Sequence, residues 1–317
     1  MTDAVFTWVD GADPDHARKR ARYLAEEQGD LARHATDPTR FADRGELFYG
    51  LHLVRKFAPW IERIFVVTDQ QRPRWLGPRL AQRLGVSVID HRDIFPSTGA
   101  VLPNFNSTSI ESFLFRIEGL SERFLYFNDD MFLVRPTREA DYFGPEPIFR
   151  GAWISDPMGP LEGLQREVLS ALTLVWARSR YRDGYVGPAG PDAKWQRPTR
   201  ETFWLAHAPY PLTRSLFAQL GERFDIEANA RYRFRSPHQR PPVTLAANLA
   251  LTRQEARSGP DDWEYLHPRK HRNAVIAARL ERCRRGEVAS LCVQSLDQGS
   301  ESEQAMILGF LKDLIED

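Results

Sequence analysis

The chain has 317 residues, 42% hydrophobic and 27% charged, the proportions of a folded globular protein with room for one large core or two smaller ones. Acidic and basic residues balance at 43 each, which removes the global charge that would favour nucleic acid or an anionic membrane as partner. Electrostatic function is therefore left to local clusters. The basic residues are 38 Arg and 5 Lys; Arg supplies a planar fork suited to phosphate, although a GC-rich genome produces the same bias.

The opening Met-Thr-Asp-Ala-Val-Phe-Thr-Trp holds no basic segment followed by an apolar one, and no stretch approaches about 18 consecutive apolar residues. The expectation is a cytoplasmic chain with no transmembrane segment, brought to the inner face of a membrane only by peripheral association with a partner complex.

The run 4–9 is short and rich in Val and aromatics, as a buried strand is, and it leads into Thr7-Trp8-Val9-Asp10-Gly11-Ala12-Asp13-Pro14. Here Gly11 frees the backbone for close approach to a ligand, Asp10 can accept sugar or ribose hydroxyls or assist a metal, and Trp8 can pack under a ring. By itself such a segment is more often a plain strand and turn. Glu46–Phe57 then places Leu47, Leu51, Val54 and Phe57 near one helical face. Runs 64–68 and 86–89 read as further strands, ending in Asp69-Gln70 and Asp90-His91-Arg92-Asp93. A Ser/Thr-rich start at 107 predicts a capped helix over 107–117, with Ile110, Leu114 and Ile117 inward.

The run 124–127 ends in Asn128-Asp129-Asp130. Two adjacent carboxylates at a strand end offer hard oxygen ligands for Mg²⁺ or Mn²⁺ that also bridges phosphate oxygens, while acidic pairs in turns are more often only solvated. Strands alternating with helices predict a doubly wound, mostly parallel, Rossmann-like α/β sheet. Ligands in such sheets bind outside the carboxyl ends of the strands, so these four polar strand ends can converge on one crevice.

Beyond residue 176 the composition turns to Gly, Pro and charge up to 200, the mark of a long loop or lid insertion. His207, in Ala206-His207-Ala208-Pro209, can take a proton from an attacking hydroxyl, though a lone His beside a Pro-containing turn is more often structural. A helix is expected over 212–224. Arg231, Arg233 and Arg235 alternate as on a strand and can present guanidinium groups on one face, or form a solvated basic edge. Helices at 243–255, 273–285 and 303–316 complete a helical C-terminal part. Cys283 and Cys292 lack the spacing of a zinc site or disulfide framework and read as buried free thiols.

Four blocks taken together carry more than any one of them. They are Phe6-Thr-Trp-Val-Asp-Gly-Ala-Asp-Pro14; Gly45-Glu-Leu through Lys56-Phe-Ala-Pro-Trp60 to Ile64-Phe-Val-Val-Thr-Asp-Gln70; Asp90-His-Arg-Asp-Ile-Phe-Pro96 through Asn106-Ser, Ile110-Glu111 and Gly119-Leu-Ser to Asn128-Asp-Asp130; and His207-Ala-Pro209 through Phe234-Arg-Ser236. In order and content they resemble the Stealth family of sugar-1-phosphate transferases. The resemblance implies a catalytic α/β domain over 1–240, with 176–200 as its loop or lid insertion, and a helical extension over 241–317 packed on it.

It also implies that a UDP-linked hexose or N-acetylhexosamine passes its sugar 1-phosphate to a saccharide hydroxyl, with release of UMP. In that model Asp129 and Asp130 hold Mg²⁺ or Mn²⁺, Trp8, Asp10 and Gly11 contact the donor, and His207 is the general base. Arg235 steadies phosphate charge, and Asn106 and Asn128 orient these groups. The alternatives are a metal-dependent glycosyltransferase releasing UDP and a non-catalytic nucleotide-sugar-binding protein. The sequence departs from the family pattern at Phe48 and His52, where arginines are usual, and at Thr108, where His is.

Overall fold

Apolar runs that match the mean length of a strand become the centre of the computed structural model, which describes residues 1–32, 34–155, 185–186 and 201–316. β1 (Thr2–Thr7), β2 (Ile61–Thr68), β3 (Val86–Asp90) and β4 (Arg123–Asn128) are parallel and lie in the order β4-β1-β2-β3. Along β1 and β4 successive apolar residues are buried whichever way they point, the pattern of a sheet covered on both faces. Phe6 and Phe127 on the neighbouring central strands stack 4.6 Å apart. The expected α/β architecture with a mostly parallel sheet is therefore what the chain adopts.

The helices follow local signals. Asp13 caps α1 (Pro14–Ala25) by accepting from the Asp15 and His16 amides, with Pro14 at the first turn. α2 (Glu46–Phe57) buries Leu47, Leu51, Val54 and Phe57, the face read from the sequence. α3 (Pro78–Leu84) precedes β3. Asp90 and Asp93 then form a reciprocal capping box around α4 (His91–Ile94).

The helix expected over 107–117 is shorter. α5 (Ser107–Glu111) stops because the Ser112 hydroxyl donates to the Thr108 carbonyl at 2.8 Å and the next amides bond three residues back, tightening into a 3₁₀ turn at Leu114–Arg116.

After β4 the chain makes a two-residue link and enters a second sheet as β5 (Met131–Leu133). β6 (Ile148–Phe149) and β7 (Gly151–Ser155) follow, and β7 pairs antiparallel with β9 (Glu201–Ala206), as does β8 (Tyr185–Val186). The lid expected over 176–200 lies outside the described residues except for Tyr185–Val186. β10 (Tyr210–Thr213) returns to the main sheet, antiparallel to β4, and α6 (Arg214–Phe224) follows.

The C-terminal part contains the three expected helices, α7 (Pro242–Thr252), α8 (Asn273–Arg284) and α9 (Glu301–Glu316), but it is not purely helical. A short β11 (Arg257–Ser258) pairs with β6. β12 (Trp263–Leu266) lies parallel to β13 (Ser290–Val293), which pairs antiparallel with β5. Four-residue apolar runs carry too little periodicity to declare themselves as strands; it is the partner β5 that makes them so. Leu249, Trp263, Leu291 and Ile307 share one buried cluster with Phe6 and Phe127. Among the described residues no helix is long and apolar enough to cross a membrane. Both cysteines are free and buried.

Candidate active site

At the carboxyl ends of the parallel strands lies a cavity of about 430 Å³. Trp8 reaches its wall from the end of β1, Asp69 from β2, His91 from β3 and Asn128, Asp129 and Asp130 from β4, so the convergence of strand ends read from the sequence holds for three of the four polar clusters. The exception is Asp10-Gly11, which does not line it. The Asp10 carboxylate accepts from the Ala12 amide at 2.9 Å and its backbone exchanges hydrogen bonds with the Gln71 side chain, so Asp10 shapes its own turn. Gly11 is required by packing: its amide donates to the Phe41 carbonyl at 2.7 Å, and a Cβ would stand 2.3 Å from that oxygen.

Asp129 and Asp130 are the whole of the link between β4 and β5, and so between two sheets. Backbone pairing on both sides fixes them; the Asp130 carbonyl accepts from the Val293 amide at 2.9 Å. Burial pushes the Asp129 carboxyl well above its ordinary value, and the neighbouring Asp130, Glu46 and Asp43 carboxylates add to it. Burial raises Asp130 to about 6 and Glu46 to about 7. Asp130 Oδ1 has no hydrogen-bond partner.

A half-buried, mutually repelling acid cluster with an orphaned oxygen fits a hard divalent cation. Among the described residues no three His, Cys, Asp or Glu side chains are grouped closely enough to hold one. Such an ion would rest on the acid pair and take its remaining oxygens from phosphate and water, as Mg²⁺ commonly does.

The opposite charge stands in the same cavity. Arg235 was expected on a basic strand, but the 3₁₀ turn Ile226–Arg231 ends before it and the following segment is irregular. The three arginines share no face. Arg231 is exposed, Arg233 lies over the Tyr23 ring at 3.9 Å, and Arg235 lines the cavity. Asn106 explains the placement without touching the cavity itself. Fully buried, its amide group donates to the Tyr232 and Phe234 carbonyls and to Gln239 Oε1, pinning the backbone just before Arg235 and the Gln239 side chain beyond it to the start of α5.

Arg235 Nη2 donates to Ser107 Oγ at 2.5 Å, while its Nε has no partner. Arg40, which sequence reasoning did not single out, also lines the cavity. Burial and the nearby Arg235 lower it to about 10. Among the described residues neither arginine forms an ion pair. Glu111 lies between them in charge terms, but burial raises it to about 7, so it is a weak counter-ion. Tyr126 Oη stands 2.8 Å from Asn128 Oδ1 and 3.3 Å from Glu111 Oε1.

His207 occupies the link between β9 and β10, the second place where the chain crosses between sheets. Its ring centroid lies 5.6 Å from that of Tyr265, and its Nδ1 has no hydrogen-bond partner. Burial, with Lys270 and Arg235 nearby, pushes it down to about 4, so at neutral pH the imidazole is uncharged, with a lone pair to offer but less basic than an exposed histidine. Trp8 Nε1 donates to Asp43 Oδ2 at 3.2 Å, which fixes the indole at the wall.

Sequence reasoning missed Arg40, Glu46 and Glu111 as members of this site. Glu111 carried a readable signal, the lone charge between residues 102 and 115; Arg40 carried none, since a loop of Pro, Thr and Arg is ordinary surface until Thr39 is seen bonded to Asp297. The Phe48 and His52 rings lie with centroids 4.3 Å apart, tilted by 39°, and do not line the cavity, whereas Thr108 does.

Residues 3–28 match the model for Stealth protein CR1, conserved region 1, and residues 40–150 that for Stealth protein CR2, conserved region 2. The capsular polysaccharide phosphotransferase cps1A of Actinobacillus pleuropneumoniae is 45% identical over 141 residues, 44% of this chain and 38% of that protein. An exopolysaccharide phosphotransferase of Nocardia farcinica is 37% identical over 241 residues, 74% of this chain and 43% of its own. The capsular polysaccharide phosphotransferase fcs1 of Haemophilus influenzae is 34% identical over 254 residues, 78% of this chain and 65% of its own. The chain thus spans less than half the length of two of these three relatives and about two-thirds of the third.

Among solved structures, galactosyltransferase LgtC in complex with donor and acceptor sugar analogs overlays with a TM-score of 0.43 at 12% identity, over 100% of this chain and 95% of that one, too distant to bear on the site. Two conserved regions in order, which include Trp8, Arg40, Glu111 and the acid turn of the cavity, and relatives at 34–45% identity place the chain in the Stealth family.

Proposed function

We propose that the chain is a sugar-1-phosphate transferase, moving a hexose or N-acetylhexosamine 1-phosphate from a UDP-sugar to a saccharide hydroxyl in the synthesis of a capsular or other surface polysaccharide. One observation carries the reading: Arg40 and Arg235, without ion-pair partners among the described residues, share a cavity with the acid turn Asp129-Asp130 and its orphaned oxygen. Buried charges are ordinarily paired, so this arrangement calls for a polyanion with a cation of its own, which a diphosphate provides. The phosphotransferase names of the relatives agree with it.

Phosphoryl transfer needs in-line placement and charge neutralisation more than covalent help from the protein. The acceptor oxygen attacks the phosphorus next to the sugar, the new P–O bond forms, and the bond to the bridging oxygen breaks with its electron pair leaving on UMP. His207, neutral, takes the acceptor proton. Arg235 and Arg40 bind non-bridging oxygens, and Asn106 holds the Arg235 segment in place. Asp129 and Asp130 would hold Mg²⁺ or Mn²⁺, which neutralises charge on the diphosphate when bound. Trp8 and Asn128 border the donor.

Incubation with UDP-N-acetylglucosamine, Mg²⁺ and an oligosaccharide acceptor, followed by phosphorus NMR, tests the reading. UMP and a phosphodiester resonance are expected. UDP without a diester would overturn it in favour of sugar transfer, and binding without turnover in favour of a nucleotide-sugar-binding protein.

A further inference from the structure

We infer that the outer face of α2 and α3 is a docking surface for a polysaccharide whose sugars are joined by phosphodiesters. This rests on the proposed reaction, whose product carries that linkage, and names a second place, outside the cavity, at which the polymer is held.

The face starts from a local excess of charge. Residues 44–85 carry eight Arg and Lys against three acids, in a chain whose charges cancel overall. Two of the acids, Glu46 and Asp69, are buried. On the basic side Arg63 is paired with Asp3 at 2.9 Å, and Arg55 spends its guanidinium on the Ile61, Glu62 and Leu84 carbonyls. Arg44, Lys56, Arg72, Arg74, Arg79 and Arg83 are left, all exposed and none ion-paired among the described residues.

Periodicity and packing gather these groups. Arg44, just before α2, and Phe48, His52 and Lys56 within it follow at four-residue steps, each about 6 Å along the helix axis. Trp75 meets the Phe48 ring edge to face with centroids 5.2 Å apart, and Tyr49 does so at 5.4 Å. His52 Nδ1 donates to the Phe48 carbonyl at 2.8 Å, which fixes its ring. Arg55 ties the end of α3 to α2, so Arg79 and Arg83, one turn apart on α3, flank the same stripe. At Phe48 and His52, where arginines are usual, this chain sets rings in the middle of a basic field.

Rings between cations suit a chain in which apolar and anionic groups alternate. The C–H face of a pyranose packs on an aromatic ring, and a phosphodiester meets guanidinium groups. The step along the stripe is of the order of one sugar phosphate repeat. A membrane is a poorer occupant, because interfacial anchors project apolar side chains toward the acyl boundary. Phe48, Tyr49 and Trp75 are instead half-buried and held edge to face. α2 begins at Glu46, which lines the cavity, so a polymer with its end at the acid turn can run onto this stripe.

Fluorescence anisotropy of the full chain with a labelled oligomer of N-acetylglucosamine 1-phosphate tests the assignment, with chitotetraose and oligothymidylate as competitors and sedimentation with phosphatidylglycerol vesicles beside it. The oligomer should bind, more weakly as salt rises, and outcompete both. Arg79→Glu with Arg83→Glu should weaken it by about tenfold or more, leaving the thermal melt and UDP affinity unchanged. Phe48→Arg with His52→Arg should shift preference from the oligomer toward inorganic polyphosphate, because charge replaces ring faces.

Oligomer binding that survives Arg79→Glu with Arg83→Glu, or no binding by wild type, overturns the inference. Tighter binding of oligothymidylate or of vesicles overturns it in favour of nucleic acid or a membrane, and an unshifted preference in the Phe48→Arg, His52→Arg protein refutes the part given to the rings. Diester formation in the same preparation is scored separately. Its absence, with oligomer binding at this face intact, overturns the transferase reading and leaves a surface for anionic glycans; diester formed without such binding overturns the surface alone.

Discussion

Replacing Asp130 by Asn should stabilise the protein in the absence of divalent cations while abolishing its response to them. Burial raises the Asp130 carboxyl from 3.8 to about 6, and Asp130 in turn raises Asp129 and Glu46. A folded-state value above the unfolded one means that the protonated carboxyl fits the fold and the carboxylate does not. The site therefore costs nothing below pH 4, its penalty grows between pH 4 and 6, and it is complete above that.

A change of this size corresponds to about 3 kcal/mol, reduced to about 2 by screening from the open cavity. For a chain of 317 residues that is about 3 °C in melting temperature. Thermal melts in EDTA at pH 8 should place Asp130→Asn several degrees above wild type, and at pH 4 the gap should close. His207 and His91 also titrate near pH 4, but neither is shifted by Asp130, so the difference isolates the acid cluster of Asp130, Asp129 and Glu46. Mn²⁺ at pH 8 should raise wild type and leave the variant unmoved. A variant that melts at or below wild type at pH 8, or keeps the same gap at both pH values, would refute the reasoning about the acid cluster.

His207→Ala should leave UDP-sugar affinity within about twofold and lower turnover by roughly 10²–10⁴, measured as UMP release; equal losses in binding would assign His207 to the donor instead. Arg40→Met should weaken pyrophosphate binding by tenfold or more, a charge-assisted contact being worth about 1.5–3 kcal/mol, and Arg40→Lys should not restore it fully. Unchanged affinity would remove Arg40 from the phosphate site. Gly11→Ala should destabilise the fold by about 1–3 kcal/mol in urea melts, since the new Cβ would meet the Phe41 backbone. If its melt is unaltered but donor binding is lost, Gly11 belongs to the ligand.

Much of the frame was legible in the residues. The four central strands are apolar runs long enough to need no context, and Glu46–Phe57 shows its buried face in its spacing. The caps Asp13 and Asn106 are local chemistry that a sequence displays directly. The acid turn was singled out because it follows an apolar strand, and strand ends are where an α/β sheet puts its ligands; His207 was singled out as a residue able to take a proton and by its block of the family resemblance.

What lay beyond the sequence was decided by pairing across long separations. Asp129 and Asp130 form a tight acidic cluster because β5 leaves the main sheet to pair with β13, more than 150 residues later. The Arg-rich segment looked like a strand by alternation, yet Asn106 and Ser109 take its carbonyls and turn Arg235 alone into the cavity. Arg40 and Glu111 acquire meaning only beside Arg235. The sequence by itself determined the class of fold and the strand ends at which chemistry collects, since those follow from periodicity and turn preference within a few residues. Which charges face one another was set by tertiary structure alone, because Coulomb forces depend on distances in space that no local pattern encodes.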